Sequence, residues 1–141
     1  MGKNKKNIKR VEDKEEVSSK FKSLHDIFKR AEYDYPIFCF KYLHKDHCIT
    51  QCDKDERSQF VDQLKSLCSV NWNQLNSSGR HGMGWEKIDF DSIIPSKPSH
   101  VSGDITFIAF RFDGKKAMVG YRYGFVFHIV YLDRDFTVYK H

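Results

Sequence analysis

Side chains able to hold phosphate or move protons gather in the last third of the chain. Arg111, Arg122, Tyr123, His128, Tyr131, Arg134, Tyr139, Lys140 and His141 follow one another there. Upstream, Arg80 and His81 occupy a glycine-rich stretch, with Trp85 and Lys87 just after it. Arginine neutralises phosphate through paired N–H donors, and tyrosine stacks on a base while its hydroxyl hydrogen-bonds. Metal-free RNA cleavage needs a base for the 2′-hydroxyl proton, cations for the crowded phosphate and an acid for the leaving oxygen. Histidine suits the acid or base role near neutral pH, and lysine, arginine and tyrosine share the work where histidine is lacking.

Other constellations are weaker. His44, His47, Cys48 and Cys52 are side chains of the kind that hold tetrahedral zinc, but no second half of a finger pattern follows, so a polar turn with free thiols is the simpler reading. Cys39 and Cys68 fall in apolar stripes and read as core thiols. Asp89 and Asp91 would share a face in an extended segment, weak grounds for magnesium. The chain carries no nucleophile elbow, phosphate loop or dinucleotide fingerprint, and neither metal nor cofactor is expected.

These residues need elements to position them. Val17, Phe21, Leu24, Ile27 and Phe28 recur at helical spacing between Val11 and Lys29, and residues 37–43 read as a first strand. Polar residues from His44 to Asp53 lead into the clearest helix, 54–68, with Phe60, Leu64, Leu67 and Cys68 as its stripe and Asp53 or Asp55 at its N-terminus. A short helix around Trp72 and Leu75 follows, then a long connection over 76–104 containing a short strand at Trp85–Ile88. Strands are predicted over 105–112, 117–122, 125–132 and 136–140, reversed at Asp113-Gly114, Tyr123-Gly124 and Asp133-Arg134-Asp135. In strand 125–132 strict alternation puts His128 with Val126, Val130 and Leu132, and Phe125, Phe127, Ile129 and Tyr131 on the other side. Both faces are apolar, so the strand reads as central and His128 as a buried, hydrogen-bonded residue. The expected fold is α+β: a compact antiparallel sheet ending in a meander, with helices over one face.

Composition bounds the function. At 141 residues the chain suits one domain over 18–141, behind a charged tail at 1–17. The net charge of +5 resides in Lys3, Lys5, Lys6, Lys9 and Arg10, and the remainder balances 19 basic against 19 acidic side chains. A basic tail attracts nucleic acid, acidic protein or anionic lipid, but any nucleic-acid site in the domain must come from local clustering. No apolar run is long enough to cross a membrane, no apolar stretch follows the basic start, and the cytoplasm is the expected compartment.

The order of elements resembles the RelE-like toxins of bacterial toxin–antitoxin systems. The similar parts are the helix Asp55–Cys68, the loop into Trp85–Ile88, the stretch Val119–Asp133 and the terminal Asp135–His141. The resemblance implies a metal-independent endoribonuclease acting on single-stranded or ribosome-bound mRNA, by 2′-hydroxyl attack on the adjacent phosphate. Arg111 and Arg122 would then hold phosphate, and Tyr139 or His141 would assist proton transfer. Arg80, His81, Trp85, Lys87 and Arg134 would contact substrate. RNA, a ribosome and an antitoxin or other small protein would be the partners. The domain departs from these toxins in its neutral charge and its long 76–104 connection. The alternative is a non-catalytic protein-interaction, immunity or accessory module, with exposed aromatics as anchors.

Overall fold

Helix α1, Lys54–Leu67, begins where Asp53 and Glu56 form a capping box: the Asp53 carboxylate accepts the Glu56 N–H at 2.8 Å and Glu56 accepts the Asp53 N–H at 3.0 Å. Its stripe buries Phe60 and Leu67. Helix α2, Trp72–Gly82, is longer than the short helix predicted and takes up the start of the 76–104 connection. The computed structural model describes residues 35–82 and 85–141, the side chains of 79–82 excepted. The predicted tail and the helical stripe between Val11 and Lys29 lie outside the described residues.

The strands are β1 (Ile37–Cys39), β2 (Trp85–Ile88), β3 (Phe107–Asp113), β4 (Lys116–Tyr123) and β5 (Val126–Asp133), in the sheet order β1-β5-β4-β3-β2. Strands β2 to β5 pair antiparallel, with Gly114 in the left-handed conformation (φ 58°) that the β3–β4 turn requires. Strand β1 pairs parallel with β5, which makes the sheet mixed. Only three of the seven residues predicted for that first strand are β1; the chain then turns at Phe40–Leu43 and rejoins the edge of β5 through His44 N–H to Val130 O and Leu132 N–H to His47 O. The fold is α+β, as the sequence predicts.

Two apolar layers flank the sheet. Beneath α1 and α2, Phe60, Leu67, Trp72 and Leu75 pack on Phe110, Met118, Phe127, Ile129 and Leu132. The opposite face is covered by the rest of the long connection and by the C-terminal segment: Ile93, Val101, Val138 and Tyr139 pack on Phe107, Val119, Tyr121, Val130 and Tyr131. The connection is therefore long because it covers a sheet face that, among the described residues, neither α1 nor α2 covers. The predicted last strand, 136–140, is not one; it contributes a single bridge, Tyr139 with Ile93.

Strict alternation in β5 fails at a bulge. Val119 is paired with Tyr131 but Gly120 with Ile129, so Val130 is extra. Val130 and Tyr131 consequently both join the layer opposite the helices, and Leu132 joins Phe127 and Ile129 beneath them. Gly120 permits this close approach: a Cβ there would overlap the backbone carbonyl of His128.

Candidate functional site

Four of the predicted site residues line one cleft. Arg111, at the end of β3, Lys87, on edge strand β2, and Tyr139 and His141, in the C-terminal segment, border a cavity of about 440 Å³ with Glu86, Asp89, Ser92, Lys115 and Lys140. The C-terminal segment is positioned by the buried Asp133. Its Oδ1 accepts the backbone N–H groups of Thr137 (2.9 Å) and Val138 (3.3 Å), and its Oδ2 lies 3.0 Å from His141 Nε2. The Tyr139 hydroxyl donates to Glu86 Oε1 at 3.0 Å. Burial, then that bond, push the phenol pKa far above its ordinary value, so Tyr139 is a fixed donor and not a base near neutral pH.

Lys87, Arg111, Lys115 and Lys140 form no ion pair with a carboxylate among the described residues, and the carboxylate side chains lining the cleft are Glu86 and Asp89. Cations that outnumber the carboxylates around a concavity and form no direct ion pairs make an anion-binding surface. Lys115 and Lys140 are additions to the predicted set; Lys140 stood within the basic aromatic run, but only the hairpin geometry brings Lys115 to Arg111.

The other predicted residues are engaged elsewhere. The Arg122 guanidinium lies 4.3 Å over the Trp72 ring and its Nε donates to Gly124 O at 2.6 Å. It therefore sits on the helix side of the sheet, whereas Tyr139 and His141 are on the other, so the predicted catalytic set does not converge. Arg134 is bidentate to the buried Glu56 (2.6–2.9 Å), which Lys116 also approaches at 3.3 Å. Those bonds, Arg134 first, lower the Glu56 pKa to about 2 despite burial. Trp85 donates its indole N–H to Leu75 O at 2.8 Å and packs in the helix-side layer, a structural role. Arg80 and His81 lie in the last turns of α2, and their side chains lie outside the described residues.

The predicted zinc candidates do not assemble: no cluster of three or more metal-ligating side chains occurs among the described residues. His44 and His47 instead pack around Tyr131, at ring separations of 5.7 and 6.0 Å. Residues 90–92 form a 3₁₀ turn, so Asp89 and Asp91 do not share the face of an extended segment. His128 is stacked on Tyr121, but its Nδ1 has no hydrogen-bond partner, contrary to the satisfied core histidine expected.

Compared with family models, with curated proteins and with solved structures, the chain matches none. The RelE-like, toxin–antitoxin and RNA-binding reading is corrected accordingly: no relative ties the fold to it, and two arginines it relied on are committed to Trp72 and Glu56.

Proposed function

We propose that this chain is an interaction module that docks an acidic segment of a partner protein in the cleft between β2, the β3–β4 turn and the C-terminal segment. The observation that carries the reading is the set of four cations, Lys87, Arg111, Lys115 and Lys140, lining one cleft without carboxylate ion pairs among the described residues. Glu86 and Asp89 in the same lining disfavour a densely charged polyphosphate, but suit a polypeptide whose carboxylates are spaced and whose N–H groups can donate to them. Fixed by Asp133 and Glu86, the His141 ring and the Tyr139 hydroxyl shape one wall. Four unpaired thiols, Cys39, Cys48, Cys52 and Cys68, favour the cytoplasm as the compartment.

The test is calorimetric titration of the full chain with a ten-residue oligoglutamate, at low and moderate salt. Exposed charge contacts contribute up to about 1 kcal/mol each and reversal adds repulsion, so Arg111→Glu with Lys115→Glu is expected to weaken binding at least about tenfold. Unchanged affinity in that folded variant overturns the proposal.

A further inference from the structure

His44 ties down the segment that covers the sheet face opposite α1 and α2, and His128 backs the two rings on which that segment's His100 rests. His44 Nδ1 accepts the backbone N–H of Asp46 at 3.1 Å, and its Nε2 lies 3.0 Å from Ser96 Oγ. A backbone N–H only donates, so Nδ1 is bare and the proton on Nε2 is the one Ser96 receives. The second histidine, His128, stacks on Tyr121 with ring centroids 5.0 Å apart, and Tyr42 lies 5.4 Å from it. Tyr42 in turn sits 4.2 Å from the ring of His100, whose Nε2 is 2.5 Å from the Tyr121 hydroxyl. Ser96 and His100 thus tie the same covering segment to the sheet at two points, and Val101 beside them is buried against it.

We propose that His44 and His128 form an acid-released clasp: neutral, they hold residues 97–101 over the sheet, His44 through Ser96 and His128 through the Tyr42 and Tyr121 rings that receive His100, and protonated, they let that stretch lift and bare Tyr121. A proton on His44 Nδ1 would set two N–H groups head to head, so the ring must turn away from Asp46 and take Nε2 from Ser96. On His128 an imidazolium would bury an Nδ1–H with no acceptor among the described residues. The charges around them oppose protonation. Lys41 and His100 face His128, with Cys39, Tyr42 and Tyr121 as neutral neighbours; His47 and Lys45 act against a charged His44, and only Asp46 favours it. Burial is the larger effect at both, and each pKa is lowered from 6.5. Neutral imidazole is what the folded chain prefers, so the clasp is intact above pH 6.5 and is lost as pH falls below it. Two anchors do not titrate there and keep Ser96 and the chain before it in place: Tyr131 hydroxyl to Ser96 O at 2.9 Å, and Ile94 N–H to Val138 O at 2.8 Å. The release is therefore local.

Amide hydrogen exchange on the full chain, corrected for intrinsic rates, tests this between pH 7.5 and pH 5. Protection of the Val101 amide, which donates to Pro98 O, is expected to fall about tenfold relative to amides of the β4–β5 ladder. In the double variant His44→Gln/His128→Phe the ratio is expected to stay constant. A constant ratio in the parent, or an equal fall in the variant, overturns the proposal. Should that variant not fold, imidazole NMR titration of the parent decides it: both rings are expected to titrate below 6.5 with His44 protonated on Nε2, and titration of either at or above 6.5 overturns the clasp.

Discussion

Residue type alone does not tell a binding cation from a structural one. Arg122 and Arg111 are both arginines on neighbouring strands, yet one lies over Trp72 and the other lines the cleft. Arg122→Ala is expected to cost about 1–2 kcal/mol of stability in denaturant unfolding, from lost cation–π and packing contacts, with oligoglutamate binding unchanged. A loss of binding instead would return Arg122 to the site. Glu56 was not singled out in the sequence, although Asp-x-x-Glu at 53–56 is a capping-box signature; its second role, holding Arg134 and Lys116, depends on contacts remote in sequence. Its pKa is depressed from 4.5 to about 2, so its stabilisation is complete above pH 4.5 and is lost as pH falls toward 2. A shift of that size corresponds to about 3 kcal/mol. Glu56→Gln is expected to lower stability at neutral pH and to flatten stability against pH between 4.5 and 2. An unaltered acid slope would contradict this account of the ion pair.

At the scale of elements, local signals were strong wherever a turn or cap set the structure. The helix over 54–68, the strand at Trp85–Ile88 and the Asp113-Gly114 hairpin were all legible, because capping, alternation and left-handed glycine are encoded within a few residues. What was not legible depends on a partner strand. The bulge at Val130 arises between β4 and β5, and parity read along β5 alone assigns Val130, Tyr131 and Leu132 to a single alternating series. The feature that betrays it is Gly120 on the facing strand, set between Val119 and Tyr121 in the interior of β4. Gly120→Ala is expected to destabilise on the order of 3 kcal/mol or to prevent folding, since the clash is with backbone and not with a side chain that can swing aside. A melting temperature within a degree or two of the parent, measured by circular dichroism, would show that the strands can separate there without cost. The terminal 136–140 segment reads as a strand because its β propensity is real, but the buried Asp133 carboxylate takes the amides of Thr137 and Val138 and turns the chain off the strand ladder and over the sheet face.

On the scale of the whole molecule, the sheet divides the work. The helix side holds the aromatic core and the Glu56–Arg134 pair; the other side holds the histidine contacts and the cationic cleft. Acidification is thus expected to act in two steps, first on the covering segment below pH 6.5 and then on the Glu56 network below pH 4.5. Of the predicted site, Lys87, Arg111, Tyr139 and His141 do meet, because the C-terminal segment returns to the β2–β3 end of the sheet. Their companion Lys115 and the organiser Asp133 were hidden, since both read as turn residues until the chain is folded. Net charge also misleads here: the balanced charge of residues 11–141 conceals one cleft where cations outnumber carboxylates. The most direct test of that cleft is a chemical-shift map of the full chain titrated with ten-residue oligoglutamate. Shifts concentrated on Lys87, Arg111, Lys115, Tyr139 and Lys140, and diminished by salt, are the predicted result. Shifts confined to Lys3, Lys5, Lys6, Lys9 and Arg10, with the cleft silent, would contradict it.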